Sequence, residues 1–328
     1  MTENTAVMAP ELEPPKFDDP YLAIIVDAAH ARGVTVEVID REYGFLRLWY
    51  QERAVCIRGS LSELTSAVAM SRCDNKHVTR RVLAAAGLRV PRATLASFDA
   101  RDERFLAEVG KLVVKPVYGE GGTGVTVGVT TDAELAQALK AARMQSPQVL
   151  LEEFVAGHDL RVIVIDHAVV AAAVRRPATV VGDGHSTIRQ LIETRDAAIR
   201  ARSGGELRLP LDEHTKDTVE AAGYTLDDVL ENGVDLAVRR TANLHTGGTM
   251  HDVTERLHPN LVEACVRASQ ALEIPVVGLD LMVPCIEAAE HVFIEANERP
   301  GLANHEPQPT AERFIDLLFP ETIAYAAN

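Results

Sequence analysis

The sequence predicts a mixed α/β (α+β) protein of about two domains. Three observations carry that expectation. The chain has 328 residues, about twice the usual domain length. Capped amphipathic helices alternate with short strands of period two along most of it. Apolar residues make up 47% and charged residues 25%, an ordinary globular balance that supplies a full core without disulfide or metal staples.

Residues 1–20 are polar, acidic and proline-bearing and read as a mobile tail. YLAIIVDAAHARG has helical spacing and stops at Gly33, which suits a C-cap. VTVEVID alternates, placing Val34, Val36 and Val38 on one strand face. FLRLWY and RAVCIRG read as a strand pair, so residues 21–70 form a small N-terminal α/β unit. Asp74 or Asn75 can cap a helix that runs to Gly87, with Pro91 barring its continuation.

KLVVKPVYG reads as a buried strand, GEGGTG as a loop and VTVGVTT as another strand. TDAELAQALKAARM is an amphipathic helix with Thr131 and Glu134 in capping-box spacing. QVLLEEFV is a strand, and residues 161–176 are two strands joined at Asp166-His167. The helix LVEACVRASQALE and the strands PVVGLDLMV and HVFIEAN follow. Residues 200–235 are polar and weakly patterned and read as a long insertion or a lid.

Composition removes several function classes. Acids outnumber bases 48 to 33, for a net charge of −15, which speaks against nucleic-acid binding through a broad basic surface. The most apolar stretch, VIVIDHAVVAAAV, is too short to cross a bilayer and carries Asp166 and His167. MTENTAVMAPELEPP lacks a basic end and an apolar block, so no secretory leader and a cytoplasmic location are expected. Cys56, Cys73, Cys265 and Cys285 have no CxxC spacing and read as reduced thiols, Cys73 as an ordinary core or surface cysteine. His245 and His251 lack the neighbours a zinc site needs. There is no GxSxG elbow and no kinase HRD or DFG set.

The glycine run Gly119–Gly124 is followed by a strand, not by a helix or by Gly-Lys-Ser/Thr. That context argues against a dinucleotide fingerprint, a nicotinamide dehydrogenase and a P-loop. A strand–loop–strand hairpin remains. It can fold over phosphates with its backbone N–H groups, or it can be a plain surface hairpin. Lys115, in VVKP, lies within an apolar run and needs a negative partner. A nucleotide phosphate would supply one. Lys76 is a second phosphate ligand or a solvated helix charge. Glu295 and Asn297, two apart on a strand, share a face, with Ile294 and Ala296 facing the other way. Asp280 interrupts another apolar strand. Magnesium would satisfy all three, because carboxylate and amide oxygens suit a hard cation. An arginine partner for Asp280 is the other reading. The arginine-bearing segments RRPATVVGDGHST and RRTANLHTGGT suggest local anion binding, with Arg176 and Arg240 as surface charges.

Taken in order, IDREYGFLRL, DNKHVTRRVL, VVKP with the glycine loop, EEFVAGHDLR, RRPATVVGDGHSTI, RRTANLHTGGT, GLDLM and EANERPG resemble the ATP-grasp superfamily. The likeness is greatest to the ATP-grasp modules of the bifunctional glutamate–cysteine ligase/glutathione synthetase and of cyanophycin synthetase. It runs from about Ile39 to Pro320. It implies an ATP-grasp fold, two α+β subdomains clasping ATP after the small N-terminal unit. The expected division is 1–20 tail, 21–70 N-terminal unit, 71–154 subdomain with the glycine-rich lid, and 155–328 subdomain with the metal and substrate site.

The resemblance also implies roles. Lys76 and Lys115 would contact ATP phosphates under a lid containing Gly119, Gly121, Gly122, Thr123 and Gly124. Glu152, Glu153 and Val155 would border the adenine, and Asp159 would hold the ribose. Asp280, Glu295 and Asn297 would bind two Mg2+ ions, with Mn2+ as a substitute. Arg161, Arg175, Arg239 and Asn243 would face the reacting carboxylate or its phosphate. The implied activity is an ADP-forming carbon–nitrogen ligase joining amino acids or short peptides through an acyl phosphate, with no protein nucleophile. A glutathione-synthetase-like reaction is the most concrete version; another dipeptide, an osmolyte, a cyanophycin-like product or a natural-product amide are the others. A homodimer is implied as well. A non-catalytic nucleotide-sensing subunit is the alternative from another class, and the intact Asp280, Glu295, Asn297, Lys76 and Lys115 speak against it. Three positions depart from the pattern: Asp159 stands where relatives tend to carry Glu, and His245 replaces a Ser. Gly278 stands where D-alanine ligases carry an arginine, so Arg239 is expected to serve instead.

Overall fold

The computed structural model describes residues 17, 19–119, 121–203, 205 and 207–325. The predicted tail therefore lies almost wholly outside the described residues, as does Glu120 of the glycine loop. The chain forms two compact units, one of residues 1–64 with 301–328 and the other of residues 65–300.

The first unit opens with α1 (Pro20–Ala31), whose N-terminus is capped by the Asp19 side chain and by a proline in the first turn. β1 (Thr35–Asp40), β2 (Phe45–Tyr50), β3 (Arg53–Arg58) and β4 (Leu61–Ser62) then make an antiparallel sheet in sequential order. Leu46, Leu48, Val55 and Ile57 are buried, as are Leu22, Ile25, Val26 and Ala29 of α1. Leu46 and Leu48 are two apart, and so are Val55 and Ile57, as a one-sided sheet requires.

The second unit holds a four-stranded and a five-stranded sheet. β5 (Ala93–Leu95), β6 (Leu112–Pro116), β7 (Thr126–Val129) and β8 (Val149–Glu153) pair in the order β5-β8-β6-β7. α4 (Ala100–Val109) and α5 (Asp132–Arg143) accompany them, with Leu106, Leu112, Val114, Leu135 and Leu151 in a common core. The capping box read at Thr131 and Glu134 is present at the start of α5. The second sheet contains β9 (His158–Ile165), β10 (Ala168–Arg176), β13 (Thr249–Asp252), β14 (Val276–Val283) and β15 (Val292–Asn297), in the order β13-β10-β9-β14-β15 and antiparallel throughout. Asp166 and His167 join β9 to β10 with φ of 51° and 54°, the left-handed pair a tight hairpin needs.

α2 (Ala67–Asp74), α3 (Lys76–Ala85) and α8 (Pro259–Leu272) bury one face of this second sheet. Leu160, Val162, Val164, Val277, Leu279 and Leu281 all belong to that core. Strand alternation then sends Asp159, Arg161, Gly278 and Asp280 to the opposite face. A bulge shifts the β14–β15 register between Asp280 and Leu281, pairing Asp280 with Glu295 but Leu281 with Phe293. The extra residue is Ile294. This corrects the expected back face of the strand: Phe293 and Ala296 enter the core, while Ile294 is only half-buried.

Residues 200–235 do not make an unstructured insertion. α6 (Ile188–Arg202) and α7 (Glu213–Ala221), which lie in sequence between β11 (Thr179–Val181) and β12 (Asp235–Ala237), pack with that antiparallel strand pair around a core of its own. Ile188, Ile192, Leu209, Val219, Leu230 and Val238 fill it. The segment is polar because the core is small and takes few of its residues. The chain finishes with α9 (Thr310–Leu318), which packs on α1 in the first unit. Among the described residues, no helix is long and apolar enough to cross a membrane.

Candidate functional site

The site side of the second sheet carries a row of charges. Arg161 on β9 lies directly across from Asp280 on β14, which lies directly across from Glu295 on β15. Arg161 grips Asp280 with Nε and with Nη2, the latter at 3.1 Å from Oδ2. Arg175, from β10, sits between two acids: its Nη2 is 2.8 Å from Asp159 Oδ1 and 3.0 Å from Asp280 Oδ2. Asn297 donates to Gly278 O at 3.3 Å and leans toward Asp280 Oδ2 at 3.5 Å.

Lys76 joins this row from the first turn of α3. Its Nζ is 3.0 Å from Glu295 Oε1 and donates to Gly119 O at 2.6 Å. Asn75 caps the helix by accepting from Val78 N, which fixes where Lys76 emerges. Three carboxylates, Asp159, Asp280 and Glu295, therefore face three cations, Arg161, Arg175 and Lys76. Burial alone would push the Asp280 carboxyl up; Arg161 and Arg175 outweigh it and hold the group below the usual carboxylate range. Asp159 goes the other way, raised by burial and by Asp280 despite Arg175. For Arg175, burial is outweighed by Asp280 and Asp159, which hold its charge more firmly than in water.

The first sheet contributes Lys115 on β6. The sequence offered a phosphate as its negative partner; in the structure Glu152 of β8 supplies the charge, with Nζ 2.6 Å from Oε2 and both side chains about one-twentieth exposed. Val113 is paired with Glu152 and Lys115 with Leu150, so Lys115 and Glu152 are diagonal neighbours on one face. Glu153, next on β8, accepts from Arg92 N at 3.3 Å. Val155 is half-buried in the connection from β8 to β9.

Gly121, Gly122, Thr123 and Gly124 form the turn between β6 and β7, with Gly121, Gly122 and Gly124 at φ of 69°, 78° and 73°. Such angles favour glycine. Asn243 reaches this loop, its Nδ2 donating to Gly121 O at 2.9 Å while its Oδ1 accepts from His245 N. Arg239 is placed elsewhere. Its Nη1 donates to Asp212 Oδ1 at 2.5 Å and to Thr215 Oγ1 at 3.1 Å, at the start of α7. Arg176 and Arg240 are exposed.

Sequence reasoning did not find Asp212 and Thr215 as the partners of Arg239. The signal was there: Asp212 caps α7 through Thr215 N, a spacing legible in DEHT. It also missed Glu152 as the partner of Lys115, which needs the β6–β8 register.

The donor set fits a hard divalent cation. Asp280 and Glu295 supply carboxylate oxygens from paired positions, and Asn297 supplies an amide oxygen on the same side. Among the described residues no group of three or more His, Cys, Asp or Glu side chains is arranged to hold a metal ion by itself, so the candidate oxygens are those of two acids and an amide. With nucleotide phosphates nearby, Lys76 and the arginine N–H groups not committed to these acids would have oxyanions to bind.

Residues 73–188 match the RimK-like ATP-grasp domain. The chain is 32% identical over 316 residues to cyanophycin synthetase of Trichormus variabilis, covering 92% of this chain and 35% of that protein. It is 32% identical over 315 residues to the glutathione biosynthesis bifunctional protein GshAB of Streptococcus mutans, covering 88% of this chain and 41% of that one. The chain thus spans well under half the length of these curated relatives. Among solved structures, a bifunctional glutathione synthetase from Pasteurella multocida superposes with a TM-score of 0.64 at 24% identity, over 92% of this chain and 43% of that one. A D-alanine–D-alanine ligase from Bacillus anthracis gives a TM-score of 0.50 at 13% identity, over 80% of this chain and 71% of that one. These two likenesses concern the fold.

Proposed function

The chain carries an ATP-grasp domain of the RimK-like kind, and from that premise we propose that it is an ATP-dependent carboxylate–amine ligase. The single observation that carries this reading is the meeting of Asp280, Glu295 and Asn297 with Lys76, Arg161 and Arg175 on one sheet face. Its relatives include cyanophycin synthetase and the glutathione-forming GshAB, so amino acids or short peptides are the substrates we propose. A glutathione-synthetase-like ligation is the most specific version. A homodimer working in the cytoplasm completes the proposal.

In the proposed reaction a substrate carboxylate oxygen attacks the γ-phosphorus of ATP, ADP leaves, and an acyl phosphate forms. The nitrogen of the second substrate then attacks the acyl carbon, loses a proton, and inorganic phosphate departs. Both steps gather negative charge on oxygen, so fixed cations in a site sheltered from water lower both barriers. Lys76 and Lys115 bind phosphates, and the backbone N–H groups of Gly121–Gly124 cover them. Arg161 and Arg175 orient the carboxylate and hold charge on the acyl phosphate. Glu153 and Val155 line the base, and Asp159 accepts from ribose hydroxyls. Asp280, Glu295 and Asn297 would hold Mg2+, which would supply neutralisation of the polyphosphate charge.

The test is ADP release from Mg-ATP across a panel of amino acids and γ-glutamyl peptides. Release that requires two organic partners supports ligation. Release with one partner alone would replace ligation with phosphorylation.

A further inference from the structure

Gly278 lies on β14, two residues before Asp280 and on the same face. Its φ is outside the left-handed region, so backbone freedom does not explain the glycine. Space does. A Cβ at this position would lie 3.0 Å from Arg161 Nη1, 3.5 Å from Arg161 Cδ and 2.9 Å from Pro300 Cβ. The Arg161 side chain thus crosses the bare backbone of Gly278 on its way to Asp280.

The guanidinium is used unevenly. Nε and Nη2 are committed to Asp280. Nη1, the nitrogen over Gly278, has no partner among the described residues, although the side chain is only 16% exposed. A guanidinium locked by one edge, with its remaining N–H groups free, is a ready-made oxyanion donor whose ordering cost has been met in advance.

We propose that Gly278 is a positioning residue that acts through Arg161. By lacking a side chain it lets the guanidinium hold Asp280 by one edge and present Nη1 to a substrate oxyanion. The inference rests on the ligase reading for the identity of that oxyanion, but not for the Gly278–Arg161 relationship itself.

The experiment compares the full chain with Gly278→Ala, Arg161→Ala and the double variant. Gly278→Ala is expected to lower kcat of the coupled reaction on the order of a hundredfold, the usual result of moving a positioned group by about 1 Å, with KM for ATP changed less than about threefold. In the Arg161→Ala background the same substitution should cost nothing more. The Arg161 Nε–H resonance, identified by its loss in Arg161→Ala, should shift in Gly278→Ala. A full additional loss in the Arg161→Ala background, or a slow Gly278→Ala enzyme with that resonance unmoved, would overturn the inference. Gly278→Ala with Pro300→Gly removes the other close contact while keeping the one with Arg161. It is expected to stay slow, and recovery of the rate would assign the effect to Pro300 instead. If the unmodified chain shows no two-substrate ADP release, the ligase reading fails, and the resonance comparison still decides the role of Gly278.

Discussion

Lys76 Nζ, at the first turn of α3, lies 3.0 Å from Glu295 Oε1 on β15. The lysine is nearly buried, and the glutamate is the more open of the two, with 28% of its side chain exposed. Glu295 thus pairs with Lys76 while keeping an edge toward solvent, as a residue that exchanges partners must. Glu295→Gln keeps the shape and removes the charge. We expect turnover to fall by at least a hundredfold, with the far-ultraviolet circular dichroism spectrum unchanged. ADP release is the measurement, and near-normal rates would remove the metal assignment from Glu295.

Asp280 gives a pH-dependent prediction. Its folded carboxyl is held below the ordinary range because Arg161 and Arg175 overcome the effect of burial. A depressed acid stabilises the fold above its unfolded pKa, about 3.9 for Asp, and that contribution is lost as pH falls through the lower folded value. Asp280→Asn should therefore destabilise the protein at pH 7 by about 3 kcal/mol, the cost of leaving two largely buried cations short of a partner. The difference between the two proteins should shrink as pH drops below about 4. Urea unfolding at a series of pH values measures it; a difference that stayed constant into acid would show that Asp280 contributes by shape alone.

Much of this arrangement was legible in the sequence, for physical reasons. Period two put Glu295 and Asn297 on one face, and the isolated Asp280 in an apolar run demanded a partner. The Asn75 cap and the Thr131–Glu134 box gave two helix starts. The positions that escaped depend on register. Glu152 finds Lys115 only because β6 and β8 pair, and the Ile294 bulge leaves no mark in HVFIEAN. The core around Ile188, Ile192 and Val219 escaped because few apolar residues are spread over a long polar stretch. Arg239 illustrates a limit of motif reading: its place in RRTANLHTGG says nothing of Asp212, which holds it.

The Lys115–Glu152 pair has a different energetic character from the open pairs. Both side chains are about one-twentieth exposed, and Nζ and Oε2 are 2.6 Å apart. Removing one member strands a charge in the first sheet. Lys115→Met and Glu152→Gln should each cost about 3–5 kcal/mol. The double variant should cost clearly less than the sum, because the second change removes the charge the first stranded. Denaturant unfolding of all four proteins completes the cycle, and strictly additive losses would mean that the two groups do not depend on each other. ATP affinity should fall with Lys115→Met in addition, since the same lysine is proposed to hold a phosphate.

Gly182 tests whether the small core of α6 and α7 is a separate cooperative element. The residue follows β11, and a Cβ there would sit 2.1 Å from Glu231 O and 2.6 Å from Leu230 Cβ. No side-chain rotation relieves a clash with backbone, so the chain near Leu230 must move. Gly182 N also donates to Val234 O at 2.9 Å, and Gly182 O accepts from Gly233 N at 2.9 Å. Displacement therefore breaks the bonds that extend the β11–β12 strand pair. Gly182→Ala should speed amide hydrogen exchange across residues 178–238 at least tenfold, while the β9, β10 and β14 amides keep their protection. Exchange read by mass spectrometry distinguishes the cases: equal acceleration in β14 would mean that this core and the charged sheet unfold as one body, and then Arg239 and Asn243 would be held by the same cooperative unit as Asp280.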